Sequence, residues 1–341
     1  MADPGDCVLV IGGTGFIGRV LVHQLIEQGN EVRVLSRNPA RHSDRPGVTH
    51  VKGEVADRES LRAATEGVSV VYDLSLGGGP TWDDYQRDFV DGAKNVAEVC
   101  LERNVRRLIY TSTIATLHLA AEGSIDESAG TDPKPELRSW YVQGKIYAEN
   151  ALNELHRTRG LPVVIFRPGI VVGEGNKLSH PGLGTWASPT CCFVVGPGTS
   201  PLPLVLVEDV ASALVLAKDA PDAAGKSFNL AGDVRPSAAD YIELASRRSL
   251  RNFSMRTESP LGIQAFRLMV WLGKAALRRK DNQWLSYHEL KNAPQRTQLD
   301  CSAAKTVLGW RPVADHDEFV RRAIDCHLTP PRSGDLRCAE F

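Results

Sequence analysis

The chain has no surplus of charge of either sign. Forty lysines and arginines stand against forty-one aspartates and glutamates, for a formal net charge of -1 over 341 residues. That balance gives no reason to expect a nucleic-acid partner or an anionic membrane. Cysteine is sparse and unpatterned: Cys7, Cys100, Cys191, Cys192, Cys301, Cys326 and Cys338 are odd in number and form no CxxC pair. They read as reduced cytosolic thiols, with neither a disulfide framework nor a zinc site, and no metal is expected. Met1 to Asp6 lacks a basic n-region, and the apolar run behind it is too short for a signal peptide, so the expected location is cytoplasmic. Long hydrophobic runs are also missing. The stretch Gly262 to Lys280 mixes Phe266, Met269, Val270, Leu272 and Leu277 with Arg267, Lys274, Arg278, Arg279 and Lys280. It is too short and too charged to span a bilayer. It reads either as a packed helix of a small domain or as a lid lying on a membrane surface.

What is present is an ordinary globular composition, 42% hydrophobic and 24% charged, long enough for one or two domains. The chain is organised around Val8 to Gly18. Val8 to Ile11 is a short apolar run, as in a strand buried on both faces of a parallel sheet. Gly12, Gly13, Gly15 and Gly18 follow, and then Val20, Leu21, Leu25 and Ile26 repeat at helical spacing. Strand, glycine turn and helix N-terminus together make an anion site. The glycines permit a positive φ and a close backbone approach, and unpaired N–H groups point at a pyrophosphate. Dinucleotide binding by Gly12, Thr14, Gly15, Phe16, Ile17 and Gly18 is therefore expected.

Further strands are expected over Glu31–Leu35, His50–Val55, Val68–Leu74, Arg107–Tyr110 and Pro162–Phe166, with helices over Ser60–Ala64, Asp84–Arg103 and Tyr141–Arg159. This βα repetition predicts a doubly wound sheet. At the end of the second strand, where an acidic residue would bind the adenosine ribose, the chain has Ser36 followed by Arg37. A small hydroxyl leaves room for a 2′-phosphate and a guanidinium clamps it, so NADP(H) is favoured over NAD(H). Arg41 and Arg45 make the same loop basic in any case. Glu54 or Asp57 is placed to reach the adenine amino group or to cap a turn, with Val55 beside them. Leu74 and Ser75 open a small-residue loop against which a cofactor can lie.

Thr111-Ser112-Thr113 follows the fifth strand, where ligands of open α/β sheets bind. Tyr141-Val142-Gln143-Gly144-Lys145 then places a phenol and an ammonium one helical turn apart. A phenol with its ordinary pKa near 10 is a poor acid or base at neutral pH, and a neighbouring ammonium stabilises the phenolate.

These features together resemble the extended branch of the short-chain dehydrogenase/reductase family over nearly the whole chain. Gly12, Gly15 and Gly18 match its GxxGxxG turn, and Thr113, Tyr141 and Lys145 match its Ser/Thr-Tyr-Lys triad. Arg167-Pro168-Gly169-Ile170 is similar to its Arg-Pro segment, where the proline backbone lies near the nicotinamide. Leu206 to Ala211 and Leu308-Gly309-Trp310-Arg311-Pro312 are similar to its later signatures. The resemblance implies hydride transfer at nicotinamide C4. Tyr141 is then the acid/base, Lys145 lowers its pKa and holds the ribose, and Thr113, or less favourably Ser112, hydrogen-bonds the substrate oxygen. Thr111, Pro168 and Ile170 complete the implied cofactor contacts. There are two departures: Phe89 stands where the family often has an asparagine, and Tyr72-Asp73-Leu74-Ser75 replaces an alanine-rich strand end.

Sugar-nucleotide members of the branch grip a diphosphate with an arginine just before the Val-x-Asp-x-Ala strand, where this chain reads Leu202-Pro203-Leu204. Lys177 is the one lysine or arginine from Gly169 to Glu208, a stretch carrying Trp186, Cys191, Cys192 and Phe193. An apolar ketone or secondary alcohol is the expected small-molecule substrate. A nucleotide-sugar epimerase or dehydratase using tightly bound NAD is the alternative, with Arg247 and Arg248 as other phosphate-binding candidates. The predicted fold is α/β, a Rossmann doubly wound parallel sheet with a smaller C-terminal α/β substrate-binding domain. Residues 1–168 and 204–230 would form the nucleotide domain, and 169–203 with 231–341 the substrate domain. The resemblance also implies a homodimer through the helices carrying Asp84 to Arg103 and Tyr141 to Arg159.

Overall fold

A computed structural model describes residues 5–39, 46–119, 123–249, 252–292 and 298–327. Arg41, Arg45 and Cys338 lie outside the described residues. Seven parallel strands make the main sheet: β1 (Cys7–Ile11), β2 (Glu31–Ser36), β3 (Val48–Lys52), β4 (Val70–Asp73), β5 (Arg107–Thr111), β6 (Val163–Pro168) and β7 (Ser227–Leu230). Their order is β7-β6-β5-β4-β1-β2-β3, so the chain reverses direction across the sheet at β1. That reversal is the crevice where such sheets bind ligands.

Strand periodicity divides β1 between two cores. Val8 and Val10 pack beneath α1 (Phe16–Glu27), while Leu9 and Ile11 face the opposite layer. The second layer holds α2 (Gly92–Glu102) and α3 (Trp140–Arg159), which bury Ala93, Val96, Ala97, Ala148 and Leu152 there. α1 shares the first core with α4 (Val207–Leu216), whose Val210 and Leu214 lie beside Leu21, Leu25 and the fully buried Trp310. β4 and β5 are buried along their whole length, and the edge strand β3 is not. The central strands therefore read as continuous apolar runs in the sequence.

A third core lies outside this sheet. Ile170–Val172 pairs with Leu204–Leu206, and Cys191–Val195 pairs with Thr185–Ser188 and Ser254–Glu258. These strands pack on Tyr241, Ile242 and Phe319 of later helices.

Several expected boundaries move. The third strand begins at Val48 and ends at Lys52, two or three residues before the expected span, and Asp57 caps the following helix, Arg58–Ala64. β4 is shorter than Val68–Leu74, while β2, β5 and β6 extend further at their carboxyl ends. The expected single helix Asp84–Arg103 is corrected to three pieces: Trp82–Tyr85, a π-helical stretch Gln86–Asp91, and α2. A regular 3.6-residue pattern does not reveal an i→i+5 turn. π-bulges concentrate at functional sites, and this one turns Phe89 toward the Tyr141 helix.

Candidate functional site

The glycine turn has little room for side chains. Gly12 has φ +78°, and a Cβ there would stand 2.6 Å from the Leu74 carbonyl oxygen. A Cβ on Gly18 would stand 2.1 Å from the Gly12 oxygen. Gly15 N–H donates to that same oxygen at 3.0 Å, and Gly15 begins α1 with no side-chain cap and no acidic residue in the first turn. The N–H groups of the α1 N-terminus are left to a ligand.

At the end of β2, Ser36 Oγ is buried with no hydrogen-bond partner, and Arg37 is exposed. Glu54 is exposed, its N–H bound by Ser60 Oγ, and Val55 is half-buried with its carbonyl held by Asn95. Thr111 Oγ1 is a second buried hydroxyl without a partner. A cradle that excludes side chains, together with orphaned hydroxyls at the carboxyl ends of β2 and β5, fits a dinucleotide laid across the sheet's reversal point. Leu74 and Ser75 flank the cradle, where Asp73 Oδ1 accepts the Ser75 N–H at 2.9 Å.

Across the sheet from that cradle, α3 presents Tyr141, Lys145 and Glu149 on one face. The Tyr141 phenol lies by the Thr113 hydroxyl and sits edge-on to Phe89 with ring centroids 5.7 Å apart. Burial raises the Tyr141 pKa above its usual 10, and the Thr113 hydroxyl pulls it partly back. Lys145 Nζ donates to the Thr111 carbonyl at 2.9 Å. It lies 4.8 Å from the Phe89 ring centre and 4.7 Å from that of Tyr110. Desolvation lowers its pKa to about 8, against the pull of Asp73 and Glu149. The ammonium is thus held between two aromatic faces, which favour its charge. Gly144 leaves the space for Phe89, since a Cβ there would touch that side chain at 3.3 Å.

Three contributors escaped the sequence reading. Glu149 is buried and accepts from Ser112 Oγ, from Thr116 Oγ1 at 2.9 Å, and from Arg167 at 3.0 and 2.6 Å. Ser112 therefore turns inward, and Thr113 is the hydroxyl that meets Tyr141. Asp73, buried at the end of β4, adds negative potential at Lys145. Phe89 packs on both Tyr141 and Lys145. The i, i+4, i+8 spacing of Tyr141, Lys145 and Glu149 was the signal for the first, while Phe89 and Asp73 showed only as departures from the family pattern, with no role attached.

Pro168 ends β6, and Ile170 opens the short strand that follows it. Outside the main sheet, burial drops the His180 pKa to about 4, so it is neutral at physiological pH. Trp186 donates to the His180 carbonyl, and Phe193 meets Phe266 at 6.2 Å. Arg247 and Arg248 are ion-paired with Glu243 and Asp325. Near the start of α3, His118, Asp132 and His288 bring three potential metal-ligating groups together. The buried Arg138 already holds Asp132 at 2.7 Å, and His288 bonds it at 2.8 Å. That cluster ties the 131–138 segment to the helix Tyr287–Lys291.

Comparison with known proteins agrees with this geometry. The NAD dependent epimerase/dehydratase family matches residues 8–231. A 2-alkyl-3-oxoalkanoate reductase of Stenotrophomonas maltophilia is 30% identical over 65% of this chain and 69% of its own. Cinnamoyl-CoA reductase 1 of Petunia hybrida is 29% identical over 71% of this chain and 77% of its own. An epimerase structure from Methanothermobacter thermautotrophicus superposes with a TM-score of 0.73 at 20% identity, covering 95% and 92% of the two chains. With the glycine cradle at the sheet's reversal point and the matched region spanning β1 to β7, the chain belongs to the NAD-dependent epimerase/dehydratase family, in the extended short-chain dehydrogenase/reductase branch, and is an NAD-dependent enzyme.

Proposed function

We propose that this enzyme interconverts a ketone and a secondary alcohol on a mainly apolar substrate, with NADP(H) as the preferred cofactor. The observation that carries the reading is the Thr113–Tyr141 pair with the buried Lys145 one helical turn away. The bound nicotinamide supplies or accepts a hydride at C4. Tyr141 delivers a proton to the substrate oxygen in reduction and removes it in oxidation. Thr113 hydrogen-bonds the same oxygen and holds the phenol in line. Lys145 keeps an ammonium near the phenol, favouring phenolate over phenol, and reaches the ribose. Gly12, Thr14, Gly15, Phe16, Ile17 and Gly18 hold the pyrophosphate, and Ser36 with Arg37 receives a 2′-phosphate. Glu54, Val55, Leu74, Ser75, Thr111, Pro168 and Ile170 line the rest of the cofactor path.

The poverty of cations from Gly169 to Glu208 supports an apolar substrate over a sugar diphosphate, which would need a compensating charge. The activity named for the Stenotrophomonas relative, on a branched 3-oxo acid, supports the same class. The catalytic cleft lies between a nucleotide unit (1–168 and 204–230) and a substrate unit (169–203 and 231–341), the latter also sending Leu299, Leu308 and Trp310 into the nucleotide unit's core. The working form is a cytoplasmic homodimer joined through α2 and α3.

The test is to titrate purified enzyme with NADPH and NADH, then follow nicotinamide oxidation with an alkyl-branched 3-oxo acid and, separately, the sugar configuration of a UDP-sugar by NMR, since epimerisation leaves no net nicotinamide oxidation. The reading predicts tighter NADPH binding that Arg37→Ala abolishes, and turnover of the oxo acid. NAD retained through purification, no effect of Arg37→Ala, and epimerisation of the sugar would replace it.

A further inference from the structure

The apolar surface of this protein is concentrated in one place. Of the eleven exposed large hydrophobic side chains among the described residues, eight lie between Leu261 and Tyr287, the others being Leu76, Leu137 and Leu216. Most of the eight belong to α5 (Pro260–Ala276), whose one buried residue is Ile263. Leu261, Ala265, Leu268 and Leu272 recur at helical spacing and are all exposed, making an apolar stripe. Leu261 is 75% exposed, and Leu277, just past the helix, is 76% exposed. The opposite side packs inward through Ile263 and through Phe266, which meets Phe193.

Charge frames the stripe. From residue 260 to 280 there are five cations, Arg267, Lys274, Arg278, Arg279 and Lys280, and no aspartate or glutamate. Asp281 pairs with Lys274 and Arg279, while Arg278 and Lys280 are exposed without an ion pair among the described residues. A second copy of the chain fits this surface poorly. A two-fold contact would set one basic segment against another with no acid inside either. The helix has 17 residues, and no described helix is long and apolar enough to cross a membrane. An apolar stripe on such a helix, bordered by cations, matches the interface of an anionic bilayer.

We propose that α5 docks the enzyme onto anionic lipid, laying Leu261, Leu268 and Leu272 among the acyl chains and Arg278 and Lys280 among the headgroups. The docked element is tied to the catalytic helix. Gln283, seven residues past α5, accepts the Trp140 N–H at 3.0 Å and donates to the Arg138 carbonyl at 3.3 Å, and Gln264 of α5 donates to the Leu285 carbonyl at 3.1 Å. Tyr141 follows Trp140 directly, so the membrane-facing surface adjoins the site and an apolar substrate can pass to it from lipid.

The experiment is flotation of the full-length protein with vesicles of phosphatidylcholine alone or mixed with phosphatidylglycerol. Wild type is expected to float with the mixed vesicles. Leu268→Glu/Leu272→Glu is expected to remain at the bottom of the gradient. Arg278→Gln/Lys280→Gln is expected to bind mixed vesicles roughly thirtyfold more weakly, at about fivefold per surface cation. All four side chains are exposed, so both variants should keep the wild-type melting temperature and nicotinamide affinity. Wild type that ignores mixed vesicles, or a leucine variant that still floats, overturns the proposal. So does a dimer that the leucine substitutions split while no vesicle binds, which assigns the face to a second copy. The outcome is separable from the proposed activity: oxo-acid reduction without flotation defeats only the docking, and flotation without reduction defeats only the activity.

Discussion

Removal of the Glu149 carboxylate tests whether the network behind the triad holds it in place. Glu149 is 0% and Arg167 4% exposed at the side chain, and their contact is 2.6 Å. Glu149→Ala strands a buried guanidinium and takes the acceptor from Ser112 and Thr116. Breaking one partner of such a pair costs about 3–5 kcal/mol. For a chain of 341 residues that lowers the melting temperature by about 4–7 °C. Glu149→Gln keeps an acceptor for Ser112 but not the charge, so it should lie between Ala and wild type. Exchanging both partners, Glu149→Leu with Arg167→Met, should recover most of the loss, because no unpaired charge remains. Thermal melts followed by circular dichroism across this set measure the coupling. A loss below about 1 kcal/mol for Glu149→Ala, the range of an exposed ion pair, would refute the network's role.

Three further outcomes are expected. Gly18→Ala forces a Cβ toward the Gly12 carbonyl oxygen, main chain that cannot swing aside. At about 1–3 kcal/mol of strain in the turn, fluorescence titration should read a cofactor affinity five- to 150-fold weaker, and unchanged affinity would contradict the cradle. Burial raises the Asp209 pKa to about 6, so the folded state resists its ionisation. Stability from this group is complete below pH 3.8 and declines as pH rises toward 6. Asp209→Asn, which keeps an acceptor for Val313 N–H, should therefore gain about 2–3 kcal/mol at pH 7–8 and nothing at pH 3.5, and equal gains in melts at the two pH values would reject the assignment. Phe89→Leu removes one aromatic face from Lys145. Its titration midpoint, about 8 in the parent, should fall by about one unit in lysine-directed NMR, and no shift would deny the ring its part.

The sequence made some of this legible and hid the rest for physical reasons. The nucleotide half could be read because its signals are local: four glycines between a β-branched run and a helix, and Tyr141 with Lys145 one turn apart. The doubly wound sheet followed from βα repetition, although strand ends moved by a few residues where pairing partners, rather than composition, decide them. Glu149 is one acid among many on a helix. It acquires a role only because Arg167, a strand away, and Ser112, on another strand end, fold onto it. Phe89 was legible as a departure from an asparagine, but its burial against Lys145 depends on a π-helical turn. The stripe on α5 was visible as a mixture of apolar and basic residues. Which side of it faces solvent depends on what packs beneath.

The most direct test of the catalytic account is Tyr141→Phe, assayed for nicotinamide-dependent turnover and, separately, for cofactor affinity. In the proposed mechanism the phenol's hydroxyl moves the proton, and the substitution retains the ring's packing on Phe89. The account predicts turnover reduced by at least about 10²–10⁴-fold with cofactor binding and melting temperature unchanged. Turnover within a few-fold of wild type would contradict it.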